Sequence, residues 1–382
     1  MRKLSMPRPH LPRTFGGQVL LCCCVSAIAL LPQLSHHGLN GVTRTYLVAA
    51  ERFWMGISPY STPAAGTDWF KYSPAFAMLY GVFAKLPHAL HAVLWATVGF
   101  TAYWLGVARW VLAYRDGRVI WFWLIAASME MDGSLRYQQV NALLTGMILW
   151  GVADYRDGKQ LNASALLTSA ANWKVFPTPF SLGLLVRRNP QFWLGTGVLG
   201  SLLLLLPAFY LGWNLNWEFH RQWFEVLRHD SGAAGLLDLE TVLLAAHANP
   251  TFAYASRLLV GALTLLLIVD IRKRPLFPPA EALWLCIGLT GILLFNPRTE
   301  PPTFVLAGPV LPILWIASRS LGGTEKKWYR LAIVVCFFFL SLVHNDIWPR
   351  KVFSMATWYN ADKTFAVLGL WLLTLYLAKR RR

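Results

Sequence analysis

Long apolar runs, separated by short polar stretches, fill most of the 382-residue sequence. An α-helix needs about 20 mostly apolar residues to cross a bilayer, and a strand with an open edge would leave backbone groups unpaired in lipid. The runs therefore predict an all-α polytopic membrane protein with about 12 transmembrane helices. They lie at roughly residues 17–33, 91–113, 119–131, 139–155, 160–173, 175–186, 191–213, 251–270, 278–296, 303–319, 329–346 and 363–379.

The basic residues fall in short clusters between these runs. The 35 Lys and Arg residues outnumber the 18 Asp and Glu residues and give a formal net charge of +17. Because the clusters alternate with apolar runs as the positive-inside rule describes, they argue against nucleic-acid binding. They predict a multi-pass protein of the cell membrane with both termini in the cytoplasm. The clusters are Arg2–Arg13, Arg115 and Arg118, Arg156 and Lys159, Arg187 and Arg188, Arg272–Arg274, Lys326–Arg330, and Lys379–Arg382.

The sequence shows no soluble domain, since 56% of its residues are hydrophobic. Residues 1–382 are predicted to form a single integral membrane domain. Residues 1–16 are read as a cytoplasmic basic tail, residues 34–90 as a first outward loop with interfacial helices, and residues 214–250 as a further outward loop. The apolar run at 19–31 resembles a signal peptide, but without a convincing small-residue cleavage site it is read as an uncleaved first helix.

The first outward loop contains a stretch, residues 46–81, that is too polar to cross a bilayer and too aromatic for a solvated tail. Its pattern predicts a short amphipathic helix from Ala49 to Met55 and a turn at Ser58–Tyr60. The apolar run from Tyr72 to Leu86 is a re-entrant or interfacial helix or, if a neighbouring run does not cross, a span. Membrane proteins tend to keep their chemistry in ordered loops of this kind.

Two motifs place polar residues beside apolar runs. Gln139 and Asn141 stand at the start of one run, where they either cap and join helices or recognise a polar head group. Lys174 lies between two runs with no carboxylate near it in the sequence, and Pro177 follows. It is either a snorkelling lysine or, by preference, one directed at an anionic group, because an unpaired ammonium this close to hydrocarbon is unfavourable.

Two later segments also contain polar residues beside apolar ones. The proline-bounded turn at residues 296–302 fixes Arg298 and Glu300, which either pair with each other or present the guanidinium to a phosphate. The segment Asn216–Leu227 is amphipathic and is predicted to lie flat in the membrane interface. Its residues at helical spacing are Trp217, His220, Trp223, Phe224 and Leu227.

The order of these features resembles the membrane glycosyltransferases of family 87, which are similar to polyprenyl-phosphate-mannose-dependent mannosyltransferases and have the polytopic C-type glycosyltransferase architecture. The resemblance extends over roughly residues 35–320. It implies a hexosyltransferase that moves a hexose, by preference mannose, from a polyprenyl-phosphate donor to an envelope glycan or glycolipid at the extracytoplasmic face, with inversion. The similar features are Tyr46 with Ala49, Ala50 and Gly56; Pro59 and Tyr60; Tyr72-Ser73-Pro74 and the run ending in Leu86-Pro87; Gln139-Val140-Asn141; Lys174-Val175-Phe176-Pro177; and Asn296–Pro302.

The sequence differs from the usual family pattern at the general base. Members of the family usually have an aspartate a few residues before the tyrosine that corresponds to Tyr46, whereas residues 41–45 here contain no carboxylate. Asp68 is the preferred substitute, and Glu51 is the other candidate for the catalytic acid–base residue.

The resemblance also implies which residues bind substrate. Cationic side chains would stabilise the departing phosphate, and aromatic rings would stack on sugar unless they only anchor the protein at the interface. The implied binding residues are Lys174, Arg298, Gln139, Asn141, Glu300, Tyr72 and Tyr60. No metal or other cofactor is required, because fixed cations hold the leaving phosphomonoester.

The expected partners are thus the polyprenyl-phosphate sugar, the glycan or glycolipid acceptor and the lipid bilayer. A second hypothesis is a transporter or flippase of a lipid-linked sugar or other anionic lipid, which would use the same cations without a base. A third is an envelope scaffold protein without activity.

Overall fold

The computed structural model describes residues 22–28, 30–31, 41–111, 117–229, 237–271, 280–297, 299–343 and 361–380. The secondary structure in these ranges is helical, and they contain no β-strand. We label the α-helices from residue 41 onward α1 to α17. In order they are Gly41–Trp54, Pro74–Ala84, His88–Val111, Gly117–Met129, Met131–Arg136, Asn141–Arg156, Gln160–Trp173, Thr178–Leu185, Pro190–Leu205, Ala208–Leu211, Trp213–His229, Leu239–Ala245, Pro250–Ile271, Ala280–Phe295, Val310–Ala317, Gly323–Phe337 and Ala361–Arg380.

In the described part of the chain, five helical segments are long and apolar enough to cross a membrane. This finding agrees with the predicted all-α membrane protein, whereas the count of about 12 crossings and the single-domain organisation stay predictions. The basic tail at residues 1–16 lies outside the described residues. The five segments are His88–Val111, Pro190–Leu211, Pro250–Ile268, Pro301–Ser320 and Ala361–Arg380.

The apolar run after Tyr72 forms only the 11-residue helix α2. Its start is defined by Ser73, whose hydroxyl accepts a hydrogen bond from the Phe76 N–H at 3.2 Å, and by Pro74 in the first helical position. At 1.5 Å per residue, α2 is about 16 Å long, roughly half of the hydrocarbon thickness. The length of α2 is thus short for a complete span and suits a re-entrant or an interfacial helix.

The predicted helix from Ala49 to Met55 is too short. In the structure α1 begins eight residues earlier, at Gly41, and ends at Trp54. Thr43 and Thr45 weaken the helical pattern because β-branched residues have low helix propensity. Both are buried, and the Thr43 hydroxyl donates a 2.7 Å hydrogen bond to the side chain of Gln138, so tertiary contacts support the extra turns.

The described residues group into two compact units, each assembled from separate stretches of the chain. The unit formed by Thr14–Tyr103 and Ser134–Ser231 has an aromatic core around Tyr46, which is 1% exposed. The centroid of the Tyr46 ring lies 5.4 Å from that of Phe76, 5.1 Å from that of Tyr80 and 6.5 Å from that of Trp95. This core fixes α1 and α2 against the start of α3.

The other unit comprises the described residues of Trp104–Gly133 and Gly232–Arg382. It contains a buried ion pair in which Lys363 Nζ lies 2.8 Å from Glu130 Oε2, with side chains 12% and 4% exposed. Removing one partner of a buried pair costs about 3–5 kcal/mol, because the other charge is left uncompensated. Glu130 therefore has a structural role in this unit.

Helix α11 was predicted over Asn216–Leu227 and is found at Trp213–His229. The predicted apolar residues are divided between a buried and an exposed face, and the position of α11 in the membrane interface stays a prediction. The buried residues are Asn216, Phe219, His220 and Trp223, whereas Trp217 and Phe224 are 74% and 60% exposed. The buried face packs on the first loop, where the indole N–H of Trp223 donates to the Lys71 carbonyl at 3.2 Å.

Candidate active site

A pair of tyrosines brings three distant parts of the sequence together. Tyr46 on α1 donates from its hydroxyl to the hydroxyl of Tyr72, just before α2, at 2.7 Å. The Tyr46 oxygen also accepts a long hydrogen bond, 3.4 Å, from the backbone N–H of Val140. The segment that carries Gln139 and Asn141 is thereby tied to the first loop.

Beside this pair, three polar side chains form a hydrogen-bonded row. Lys174 Nζ donates to Asn141 Oδ1 at 3.0 Å, and Asn141 Nδ2 donates to Gln139 Oε1 at 2.6 Å. Asn141 is fully buried, and Lys174 is half-buried. We call Lys174, Asn141 and Gln139 the cation row.

The cation row is held close to Tyr72. Lys174 Nζ lies 5.3 Å from the centroid of the Tyr72 ring and 5.4 Å from that of Phe176, which are cation–π distances. The Ser73 hydroxyl donates to Asn172 Oδ1 at 2.9 Å, and the Ser73 N–H donates to the Trp173 carbonyl at 3.4 Å. The turn before α2 is therefore docked on the end of α7.

The break between α7 and α8 sets the direction of the lysine. Lys174 follows α7 in an extended conformation, with φ −145° and ψ 143°. Pro177 comes three residues later and cannot continue the helical hydrogen bonds. The partly buried ammonium of Lys174 therefore lies beside the Tyr72 ring and the Asn141 amide.

The residue before the cation row is conformationally strained. Gln138 has φ +51°, in the left-handed region that few residues other than glycine adopt. Its side chain accepts from Thr43, and its carbonyl accepts from the indole N–H of Trp95 at 2.9 Å. Such strain costs of order 1–3 kcal/mol and persists where the surroundings fix it, as these contacts do.

Asp68, the preferred base, lies on the surface of the loop. Its carboxylate is 69% exposed, lies 3.3 Å from Lys71 Nζ, and accepts from the Trp69 N–H at 2.7 Å. The Asp68 N–H donates to the hydroxyl of Thr45 at 3.0 Å. Because Thr45 immediately precedes Tyr46, the structure holds Asp68 beside the part of α1 where the family's aspartate was expected.

The other predicted residues of this unit have different surroundings. Glu51 is exposed on α1, as predicted. Tyr60 is 4% exposed, and its hydroxyl donates to the Tyr72 carbonyl at 2.7 Å. Burial raises the pKa of Tyr60, so it stays a neutral hydrogen-bond donor that supports the loop.

The predicted pair in the late turn is described only in part. Arg298 lies outside the described residues. Glu300 belongs to the other unit and precedes a short 3₁₀ helix, Pro301–Leu306, where its carbonyl accepts from the Thr303 N–H at 2.8 Å. Whether Arg298 and Glu300 pair stays a prediction.

Comparison with known proteins decides the family. The model of glycosyltransferase family 87 matches residues 69–297, more than half of the chain. The chain belongs to this family. It is therefore a membrane glycosyltransferase, and within the matched range lie Tyr72, Gln139, Asn141 and Lys174.

The other two comparisons do not identify a closer functional relative. No curated protein matches the sequence. Among solved structures, the fold is similar to that of ArnT from Cupriavidus metallidurans in the apo state, with a TM-score of 0.46 and 17% sequence identity. The alignment covers 95% of this chain and 76% of that chain.

Two residues that support this arrangement are not indicated by the sequence. Gln138 has a positive φ, but position 138 is neither glycine nor asparagine. Thr43 belongs to no motif, and its hydrogen bond to Gln138 depends on the fold. In the described part of the chain, no group of three His, Cys, Asp or Glu side chains is arranged to hold a metal ion.

Proposed function

We propose that this family 87 glycosyltransferase moves a hexose, mannose by preference, from a polyprenyl-phosphate donor to an envelope glycan or glycolipid, with inversion at the anomeric carbon. The observation that carries the proposal is the cation row beside the Tyr46–Tyr72 pair. It combines a partly buried ammonium, a buried amide and aromatic rings in one place. A lipid-linked phosphate sugar needs these three kinds of contact.

In the proposed reaction, the acceptor hydroxyl oxygen forms a bond to the anomeric carbon as the bond from that carbon to the phosphate oxygen breaks. Polyprenyl phosphate leaves with the electron pair. Lys174, oriented by Asn141, would stabilise the added negative charge on the leaving phosphate. The family match favours this transfer over the transport hypothesis, because a transporter breaks no glycosidic bond.

The proton of the acceptor hydroxyl would pass to a carboxylate. Asp68 supports this role best, because its backbone is bonded to Thr45, next to Tyr46, and its side chain is open to an incoming acceptor. Glu51, although also exposed, lies further along α1. Gln139 and Tyr72 would contact the head group, while Arg298 and Glu300 remain candidates from the late turn.

The proposal is tested by product formation from the purified protein in detergent, where transport cannot be scored. Polyprenyl-phosphate-mannose should give a mannosylated product with a glycan or glycolipid acceptor, and polyprenyl-phosphate-glucose should give less. A nucleotide-linked mannose serves as the control donor and should give none. Failure with every lipid-linked sugar would leave the transporter or flippase as the better hypothesis.

The site is proposed to face the outside of the cell membrane. This orientation follows from the basic clusters, which the positive-inside rule places in the cytoplasm together with both termini.

Reporter fusions within residues 214–229 should therefore indicate the exterior. Fusions after Arg118, Lys159, Arg188 and Lys327 should indicate the cytoplasm. An exterior signal at Arg118 would require the run from Tyr72 to Leu86 to cross the bilayer.

A further inference from the structure

A concave site lies between the first loop and α11, in the same unit as the cation row. It is a cavity of about 300 Å³. This volume is at the lower end of the range for ligand pockets, about 300–1,000 Å³. The lining residues are Tyr60, Trp69, Gln222, Glu225, Val226 and His229.

The walls of the cavity are fixed by hydrogen bonds at both ends of the loop segment. The Ser58 hydroxyl donates to the Gln222 side chain and accepts from the Tyr60 N–H at 3.1 Å. At the other end, the Trp223 indole donates to the Lys71 carbonyl at 3.2 Å. A site whose walls are already ordered loses less conformational entropy when a ligand binds.

The lining has the chemistry that recognises a sugar ring. The Trp69 indole is 42% exposed and offers an apolar face. The Glu225 carboxylate is 49% exposed and can accept hydrogen bonds from hydroxyl groups. Nδ1 of His229 is engaged with the Glu225 carbonyl at 2.9 Å, which leaves Nε2 as the nitrogen available to a ligand.

The charge around the cavity disfavours a phosphate. Arg221 bonds to both Glu218 and Glu225, at 2.6 Å and 2.5 Å, so one guanidinium faces two carboxylates. Hydrogen bonds from Arg221 and Gln222 hold the pKa of Glu218 at about 2, which keeps it ionised at neutral pH. The cavity lining itself contains one carboxylate, Glu225, and no Lys or Arg, so it suits a neutral, hydroxyl-rich ligand better than an anionic one.

We propose that this cavity is the acceptor subsite, in which a neutral saccharide ring stacks on Trp69 and bonds through its hydroxyls to Glu225 and His229. The inference rests on the proposed transfer reaction, because it assigns the acceptor of that reaction to this cavity. Trp69 directly follows Asp68, and its N–H donates to the Asp68 carboxylate at 2.7 Å. The stacking platform and the proposed base are thus held together, apart from the cation row that would hold the donor phosphate.

The first test measures sugar binding without turnover. The full-length protein in lipid nanodiscs is mixed with the methyl glycosides of mannose, glucose and galactose, and saturation transfer to the sugar ring protons is recorded by NMR. At least one glycoside should show transfer with the parent. Trp69→Ala should weaken binding by about tenfold, and Trp69→Phe, which keeps a ring, should weaken it less. Glu225→Gln should weaken it as well.

Trp217→Ala is the matched control, because Trp217 is an exposed tryptophan on α11 that does not line the cavity. It should bind the glycosides like the parent. The subsite is overturned if no glycoside binds, or if Trp69→Ala and Trp217→Ala behave alike.

A second test uses turnover and separates this inference from the proposed function. In Trp69→Ala the KM for the acceptor should rise about tenfold while the KM for the polyprenyl-phosphate sugar stays unchanged. An increase in the donor KM instead would assign the cavity to the donor and contradict the inference. Glycoside binding that depends on Trp69 would support a sugar subsite even if the transfer assay failed, in which case only the proposed reaction would be lost.

Discussion

Replacing Lys174 with glutamine is expected to lower turnover by about 10²-fold or more, the scale on which one preorganised donor stabilises developing charge. Glutamine is uncharged but keeps an amide that can donate toward Asn141, so the neighbouring hydrogen bonds of the cation row can persist. Expression and melting behaviour should therefore stay close to those of the parent. Because the charge on the phosphate increases as it departs, the loss should fall mainly on kcat.

The matched control is Lys159→Gln. Lys159 stands immediately before α7 and Lys174 immediately after it, so the same substitution is made at the two ends of one helix. Lys159 is 58% exposed and lies 3.8 Å from the carboxylate of Asp154, which is 6% exposed, so its substitution is expected to lower stability somewhat. Its substitution should leave turnover unchanged. Equal activity in both variants would place the phosphate site elsewhere in the protein.

The sequence was sufficient to predict the membrane class and to select Lys174 as a candidate. Apolar runs and basic clusters follow from composition along the chain, and Lys174 is conspicuous because it interrupts two apolar runs beside Pro177. Its partner could not be predicted in the same way. Asn141 lies 33 residues earlier, and its contact with Lys174 depends on how α6 packs against α7. A local sequence pattern does not predict how two helices pack.

The missing base illustrates a second limit. The sequence shows that residues 41–45 lack a carboxylate, but it does not show which distant acid lies beside them. That Asp68 is bonded to Thr45 depends on the path of the loop between α1 and α2, where Gly56 and Gly66 adopt positive φ values of 71° and 74°. The packing of α11 is likewise not visible in the sequence, since the contact of Trp223 with the Lys71 carbonyl joins residues far apart in the chain.

Asp68→Asn is expected to lower turnover by about 10² to 10⁴-fold, the usual contribution of a general base. Asparagine preserves the shape of the side chain and can still accept from the Trp69 N–H, but it cannot take the acceptor's proton. The ion pair with Lys71 is also lost. Because Asp68 is 69% exposed, this should change the free energy of unfolding by no more than about 1 kcal/mol. Binding of the polyprenyl-phosphate donor should be largely retained.

Glu51→Gln is the internal control, since Glu51 is the other exposed acid of the first loop and lies on the helix to which Asp68 is bonded. It should have a mild effect on turnover. The reverse result would move the base to Glu51 and place the acceptor further along α1. If neither variant loses activity, Asp132 and Glu300 are the next acids to replace. A confirmed transferase that tolerates all four changes would contradict a mechanism with a single carboxylate base, and proton removal would then have to be assigned to water.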